Sequence, residues 1–187
     1  MSAYSPRETF DRQLHALLEQ VLVLGSMAEQ AVQRSVQALQ RYDRSAAQAI
    51  YRDDQRINVK RYTIESDCIT LIATQQPMAR DVRLLAAILE IITELERIGD
   101  YAKGISKITL MLTEEVNDLP IFQDIQRMSE LGLNMLRLAL DAFVAGDQFA
   151  ARAIPASDDE VDNLYNRVYL ELIKRMVADS TTADHAN

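Results

Sequence analysis

Two helical patterns meet at a proline in the stretch CITLIATQQPMARDVRLLAAILEIITELERIGD, residues 68–100. The residue before a proline is pushed out of the α region, so Gln75-Gln76-Pro77 predicts a tight turn between two helices. Apolar residues recur at helical spacing on both sides of this turn. The seam before it comprises Ile50, Ile57, Ile64, Cys68 and Leu71, and the seam after it Leu84, Ile88, Ile91, Leu95, Ile98, Ala102, Ile105 and Leu112. The stretch therefore predicts an antiparallel helical hairpin.

A third helical pattern precedes this hairpin. Its apolar and small residues step by three and four, which predicts a helix packed lengthwise on its neighbours. This seam comprises Leu14, Leu18, Val21, Gly25, Ala28, Val32, Ser35 and Leu39. A break is expected between Tyr42 and Ser45. Residues 1–115 are therefore predicted to form an antiparallel three-helix bundle with coiled-coil-like packing.

The composition favours an all-α fold and excludes several classes of function. Only 5 Gly and 4 Pro occur among 187 residues, too few for turn-rich β or α/β folds. The formal net charge of −8 disfavours nucleic acid and anionic lipid as direct partners. The longest apolar run covers only residues 84–89. Neither a signal peptide nor a membrane-spanning segment is therefore predicted.

The sequence contains an internal duplication. A shift of 104 residues aligns residues 35–58 with residues 139–162 without a gap, and seven of these 24 positions are identical. Residues 116–187 are therefore predicted to form a second repeat, in which Pro155 kinks or breaks a helix. Under the same shift Pro77 falls on Thr181, so the second repeat is expected to lack its third helix. The predicted fold is all-α, with tandem antiparallel three-helix bundles of which the second is incomplete.

Carboxylates four positions apart on a helix are the strongest candidates for a site, because they repel each other unless a cation or a proton lies between them. Their oxygen ligands would favour Mg, Ca, Mn or iron. On the third helix this acidic face is predicted to lie nearly opposite the apolar seam. Alternatively, Arg56, Arg61 and Arg97 neutralise the acids in ordinary ion pairs. The candidate metal ligands are Glu96, Asp100, Asp54, Asn58, Asp158 and Asp162.

Catalysis has little support in the sequence. The single cysteine, Cys68, lies on an apolar seam, where a buried structural thiol is the common case, and it cannot form an intramolecular disulfide. The two histidines have no partner arrangement for catalysis, and neither follows a glutamate by three positions as di-iron bundles require. No glycine-rich phosphate loop occurs. A reducing compartment and a function other than catalysis are therefore expected.

Residues 68–83 and 94–100 closely resemble segments of the PhoU family, the regulators that accompany bacterial phosphate transport systems. Residues 54–58 and 158–162 resemble the family's other recurring segment, and the resemblance extends over about residues 8 to 178. It implies an all-α fold of two tandem three-helix bundles.

The family's acidic motif is associated with multinuclear metal clusters on the bundle surface. Carried over to this sequence, it implicates the pairs Glu96/Asp100 and Asp158/Asp162, and more weakly Asp54 with Asn58, where an amide replaces the acid. The family's copy of the motif on its sixth helix has no counterpart here.

The resemblance further implies a cytoplasmic protein that is not an enzyme and is often dimeric. Such proteins contact the ATPase of the phosphate importer and a membrane-bound, phosphate-sensing histidine kinase, and they repress the phosphate-starvation response when phosphate is plentiful. Any association with the inner membrane would pass through these proteins. Two alternatives stay open: a metal-binding or storage bundle, and a helical adaptor without a signalling role.

The incomplete repeat predicts an apolar patch on its two helices, and such a patch favours self-association as a homodimer or docking onto the first bundle. A natural short protein, a frameshift and a trimmed chain all stay open as explanations of the missing helix. The patch is expected to include Leu131, Leu136, Leu138, Phe143, Val161, Leu164 and Val168.

Overall fold

The computed structural model describes residues 6–112 and 121–185, and all regular structure in this part of the chain is helical. The predicted all-α fold is confirmed. No helix within the described ranges combines the length and the apolar character needed to cross a membrane. The helices are α1 (Pro6–Gln40), α2 (Arg44–Gln75), α3 (Ala79–Met111), α4 (Ile121–Ala145), α5 (Gln148–Ala153) and α6 (Asp158–His185), with a 3₁₀ turn at Ile154–Ser157 between the last two.

Packing divides the chain into two compact units, Met1–Leu112 and Thr113–Asn187. In the first unit each of α1, α2 and α3 contacts the other two, which completes a three-helix bundle. In the second unit α4 contacts α5 and α6. The boundary predicted between residues 115 and 116 lies outside the described residues.

The core of the first unit follows the predicted seam of α2. All five seam residues of α2 are buried, and Ile64 and Cys68 are fully buried. Desolvation in this core raises the pKa of the Cys68 thiol to about 11, so this cysteine is a packing residue. Burial of each large aliphatic side chain contributes about 1.5–3 kcal/mol. Among the described residues, the large aliphatic side chains that are fully buried are Val21, Leu24, Ile64, Leu85, Ile88 and Ile92.

The buried face of α3 differs from the predicted seam. Leu84, Ile91, Ile98, Ile105 and Leu112 were expected in the core, and all five are only half-buried. The prediction was wrong because the first half of α3 is apolar on two sides, and Leu85 and Ile92 on the other side are the buried ones. In the second half, small and hydroxyl-bearing residues that the apolar count passed over are buried. The buried face comprises Leu85, Ile88, Ile92, Leu95, Gly99, Ala102, Ser106 and Thr109.

Three of these residues show why the face lies there. A Cβ atom at Gly99 would lie 2.9 Å from Ile57 Cδ1, so glycine permits the close approach of α2 and α3. The hydroxyls of Ser106 and Thr109 donate to the backbone carbonyls of Ala102 and Ile105, each at 3.0 Å, and so satisfy their polar atoms inside the core. As a result Glu96 borders the buried face of α3, contrary to the predicted position opposite the core.

The two turns related by the 104-residue shift have the same backbone geometry. The predicted break after α1 is confirmed: Tyr42 has φ 53°, and the next residue, Asp43, caps α2 by accepting from Ala46 N at 2.9 Å. At the equivalent positions Gly146 has φ 66°, and Asp147 caps α5 by accepting from Ala150 N at 3.0 Å. The amide of each aspartate also donates to an alanine carbonyl five residues earlier, at 2.9 and 2.8 Å.

The turn between α2 and α3 is also as predicted. The helix α2 ends at Gln75, and Gln76 has φ 45°, in the left-handed region. Beyond the turn, Asp81 accepts from Met78 N at 3.3 Å and from Arg7 Nη1 at 2.6 Å, which joins the start of α3 to the start of α1. The hydrogen bond and positive charge of Arg7 lower the pKa of the Asp81 carboxyl.

The second unit buries part of the patch that was expected to be exposed. Leu164 and Val168 of α6 are buried, so the prediction for these two side chains was wrong: α4 and α6 cover them by packing on each other. Four of the seven residues are half-buried, and Leu138 is exposed. The predicted helix break at Pro155 is confirmed by the 3₁₀ turn. Exposed apolar side chains on α6 include Tyr165, Tyr169, Leu170, Leu172, Ile173, Met176 and Val177.

Candidate functional site

Asp54 is the most buried of the candidate ligands. It lies on the core-facing side of α2, one turn before Ile57, and only 7% of its surface is exposed. One of its oxygens, Oδ2, accepts from Lys103 Nζ at 2.6 Å and from Asn58 Nδ2 at 3.2 Å. A carboxylate so far from water requires such donors, because an unpaired buried charge is costly.

Lys103 of α3 is the cation at the centre of this site. Its ammonium also lies 3.8 Å from Asp100 Oδ1 and 5.6 Å from the centroid of the Tyr51 ring. The hydrogen bond to Asp54 raises the pKa of Lys103 above its ordinary value, so the ammonium stays charged at neutral pH. Lys103 thus lies between an acid of α2 and an acid of α3.

Sequence reasoning missed Lys103, although its position carries a signal. It follows Asp100 by three residues, a spacing at which helical side chains meet. Two of the predicted neutralising arginines pair with other acids: Arg97 with Glu94 at 2.8 Å, and Arg61 with Glu65 at 2.9 Å. The third, Arg56, lines a cavity together with Asp54 but makes no ion pair with it. The positive charge of the site comes from Lys103.

The remaining candidates differ in exposure and in partners. Glu96 is half-buried on α3, whereas the Asp100 side chain is about half exposed. Asp158 and Asp162 are exposed in the first turns of α6. The four candidates of the first unit lie on α2 and α3, and the other two belong to the second unit.

The donor set of the first unit does not fit a metal cluster. Within the part of the chain that the structure describes, no three His, Cys, Asp or Glu side chains group to hold a metal ion. The position between Asp54 and Asp100 is taken by an ammonium, which a metal ion would have to displace at the cost of a 2.6 Å charged hydrogen bond. The contacts of Lys103 with Asp54 and Asp100 join α2 to α3 electrostatically. Metal binding stays a prediction.

Comparisons with known proteins match nearly the whole chain. The family model described as "PhoU domain" matches residues 21–109 and again residues 125–186, and the two matches begin 104 residues apart, as the internal duplication does. A phosphate-specific transport system accessory protein PhoU homolog from Caulobacter vibrioides is 36% identical over 175 residues, which cover 94% of this chain and 76% of the relative.

Two solved structures share the fold. The crystal structure of PhoU from Pseudomonas aeruginosa superposes with a TM-score of 0.84 at 29% identity, over 94% of this chain and 84% of that one. The phosphate transport system regulatory protein PhoU from Streptococcus pneumoniae gives a TM-score of 0.82 at 32% identity, over 90% of this chain and 79% of that one.

Proposed function

The chain belongs to the PhoU family, and on that premise we propose that it is an accessory and regulatory protein of a phosphate transport system. The observation that carries the proposal is the pair of PhoU-domain matches, supported by 36% identity to a phosphate-specific transport system accessory protein homolog. The similarity spans both repeats.

The proposed mechanism is regulation by protein contact. We propose that the chain binds the ATPase of the phosphate importer and a phosphate-sensing histidine kinase, and that it represses the starvation response when phosphate is sufficient. The helices, up to 35 residues long in α1, offer extended faces for such docking. A cytoplasmic location, peripheral attachment to the inner membrane through these partners and a homodimeric state belong to the same proposal. It assigns no catalytic step to the chain.

Cation binding by the acidic pairs is a separate proposal. In the second unit, the exposed carboxylates of Asp158 and Asp162 lie one helical turn apart and would supply the oxygen ligands that divalent or iron cations prefer. In the first unit, Lys103 competes for the same position. Elemental analysis of purified protein, wild type against Asp158→Asn/Asp162→Asn, tests this proposal apart from partner binding.

The regulatory proposal is tested with purified partners. The chain is immobilised and offered the importer ATPase and the kinase's cytoplasmic part, each from the same organism, with an unrelated transport ATPase as the control. Retention of either cognate partner, with no retention of the control, supports the proposal. Recovery of neither partner, together with unchanged phosphate uptake after deletion of the gene, would refute it.

A further inference from the structure

A groove between the outer faces of α1 and α2 is basic, although the protein as a whole is acidic. We call it the α1–α2 groove; it is open to solvent and has a volume of about 490 Å³. Three of its lining residues are cations spaced four positions apart on α2, so they share one face over about 12 Å of helix. The residues used below are Met27 of α1 and Arg52, Arg56, Val59, Lys60 and Thr63 of α2.

The cations of the groove have no carboxylate partner among the described residues. Arg52 and Arg56 make no ion pair within these ranges, and Lys60 Nζ donates to the neutral amide oxygen of Gln20 at 3.1 Å. The neighbouring carboxylate of Asp53 pairs with Arg34 at 3.3 Å. Among the described residues lining the groove none is acidic. In a chain of net charge −8 this concentration of unpaired positive charge marks a surface suited to an anionic partner.

The floor of the groove is partly apolar. Val59 lies between the cations at 58% exposure, and Met27 lies half-buried opposite it on α1. One helical turn separates Val59 from Thr63 along the same face. An apolar strip flanked by charges at helical spacing is the complement of an amphipathic helix, which uses anchors at positions three, four and seven residues apart.

The alternatives match these features less well. Inorganic phosphate would use donors converging on one point, whereas these three cations are spread over two helical turns. Nucleic acid and anionic membranes would meet the acidic charge of the rest of the surface. A protein helix with acidic and apolar residues on one side uses the length, the charge and the apolar floor of the groove together.

We propose that the α1–α2 groove is a docking surface for an acidic amphipathic helix of a protein partner. Carboxylates on successive turns of that helix pair with Arg52, Arg56 and Lys60, and an apolar side chain between them packs on Met27 and Val59. This inference goes beyond the proposed function, since it stands whether or not the partner belongs to a phosphate transporter.

The test uses a designed peptide as its probe. A fluorescent helix of about five turns carries glutamates every fourth residue beside leucines, and a scrambled peptide of the same composition is its control. Fluorescence anisotropy at low salt is measured for wild type, Arg52→Glu/Arg56→Glu and the control Arg83→Glu/Lys107→Glu. The control reverses two exposed cations on α3. Circular dichroism establishes that each variant keeps its helix content. If Arg52→Glu/Arg56→Glu does not fold, Arg52→Gln/Arg56→Gln replaces it.

We expect the wild type to bind the designed peptide about tenfold more tightly than the scrambled one. The groove variant should lose about tenfold or more in affinity, and the α3 control should stay within about twofold. Val59→Ser should weaken binding without changing its salt dependence. Equal losses in both double variants, or no preference for the designed peptide, would overturn the proposal. So would binding of inorganic phosphate or phosphatidylglycerol vesicles, lost on reversal at 52 and 56, while the peptide does not bind.

Discussion

Asp54 and Asp158 occupy equivalent positions in the two repeats, and their surroundings are opposite. Both follow a turn that has a left-handed residue, an aspartate cap and backbone hydrogen bonds at equivalent positions. Yet Asp54 is 7% exposed and bonded to Lys103, whereas Asp158 is exposed at the start of α6. The helix α3, which covers α1 and α2, supplies both the burial and the cation in the first unit.

The difference separates two levels of structural control. Local sequence determines the turns, because an aspartate side chain and a residue in the left-handed region suffice to end one helix and start the next. A helix distant in the chain determines the chemistry of the carboxylate, since desolvation and charge partners come from packing. The same acidic segment can therefore join two helices in one repeat and face solvent in the other.

The largest expected effect concerns the cores of the two repeats. Ile64→Ala should lower the free energy of unfolding by about 2–5 kcal/mol, because it leaves a cavity among three helices. Its equivalent at the 104-residue shift is Val168, which is 8% exposed. Val168→Ala removes fewer atoms from a less deeply buried position, so we expect the free energy of unfolding to fall by about 1–2 kcal/mol. Urea denaturation followed by circular dichroism measures both, and equal losses would contradict the difference in packing.

The next effect concerns the equivalent carboxylates. Asp54→Ala should cost about 1–2 kcal/mol, because it leaves the Lys103 ammonium without its charged hydrogen bond. Asp158→Ala, at an exposed position, should stay within about 0.5 kcal/mol of the wild type. The same denaturation experiment compares the two substitutions. A larger loss for the alanine at 158 than for the alanine at 54 would refute the stabilising role of the Lys103 contact.

Substitution of Lys103 tests whether its ammonium keeps metal ions out of the first unit. In Lys103→Met the carboxylates of Asp54 and Asp100 lose the ammonium between them, so we expect the first unit to bind Mn²⁺ about tenfold more tightly. Calorimetric titration is done in an Asp158→Asn/Asp162→Asn background, which removes the exposed pair of the second unit. Stoichiometric Mn²⁺ binding that is as tight with Lys103 present as without it would show that the ammonium does not exclude the metal.

The smallest effect concerns the ion pair that joins the starts of α1 and α3. Arg7 lowers the pKa of Asp81, so the pair stabilises the folded state above the ordinary carboxyl pKa of about 3.9. This contribution is lost as the pH falls through the lowered pKa. The midpoint of thermal unfolding should therefore exceed that of Asp81→Asn at neutral pH, and the gap should close in acid. A gap of constant size across this range, or the same gap in an Arg7→Gln background, would be inconsistent with the pairing.

The sequence predicts the fold where apolar spacing and turn residues agree. The five predicted seam residues of α2 are all buried, and the turns at Asp43, Gln76 and Pro155 lie where the helical patterns break. The buried face of α3 could not be predicted from apolar spacing alone. Gly99 marks the close contact with Ile57, and neither helix shows this contact in its own apolar pattern.

The sequence identifies the acidic residues of the candidate site but not Lys103. The i,i+4 spacing identifies Asp54, Asn58, Glu96 and Asp100 as neighbours along their own helices, and the antiparallel hairpin brings α2 and α3 together. Which side chain lies between the acids depends on how far α3 is rotated about its axis. The buried face of α3, which includes Gly99, Ser106 and Thr109 beside its apolar residues, defines that rotation. In this orientation the Lys103 ammonium reaches Asp54 and lies within 3.8 Å of Asp100.

The role in phosphate regulation is tested most directly by deleting the gene in its host and measuring a phosphate-starvation reporter in phosphate-rich medium. The reporter should be expressed despite sufficient phosphate, and the wild-type gene supplied in trans should restore repression. A reporter that stays repressed in the deletion strain, with phosphate uptake unchanged, would contradict the proposed function.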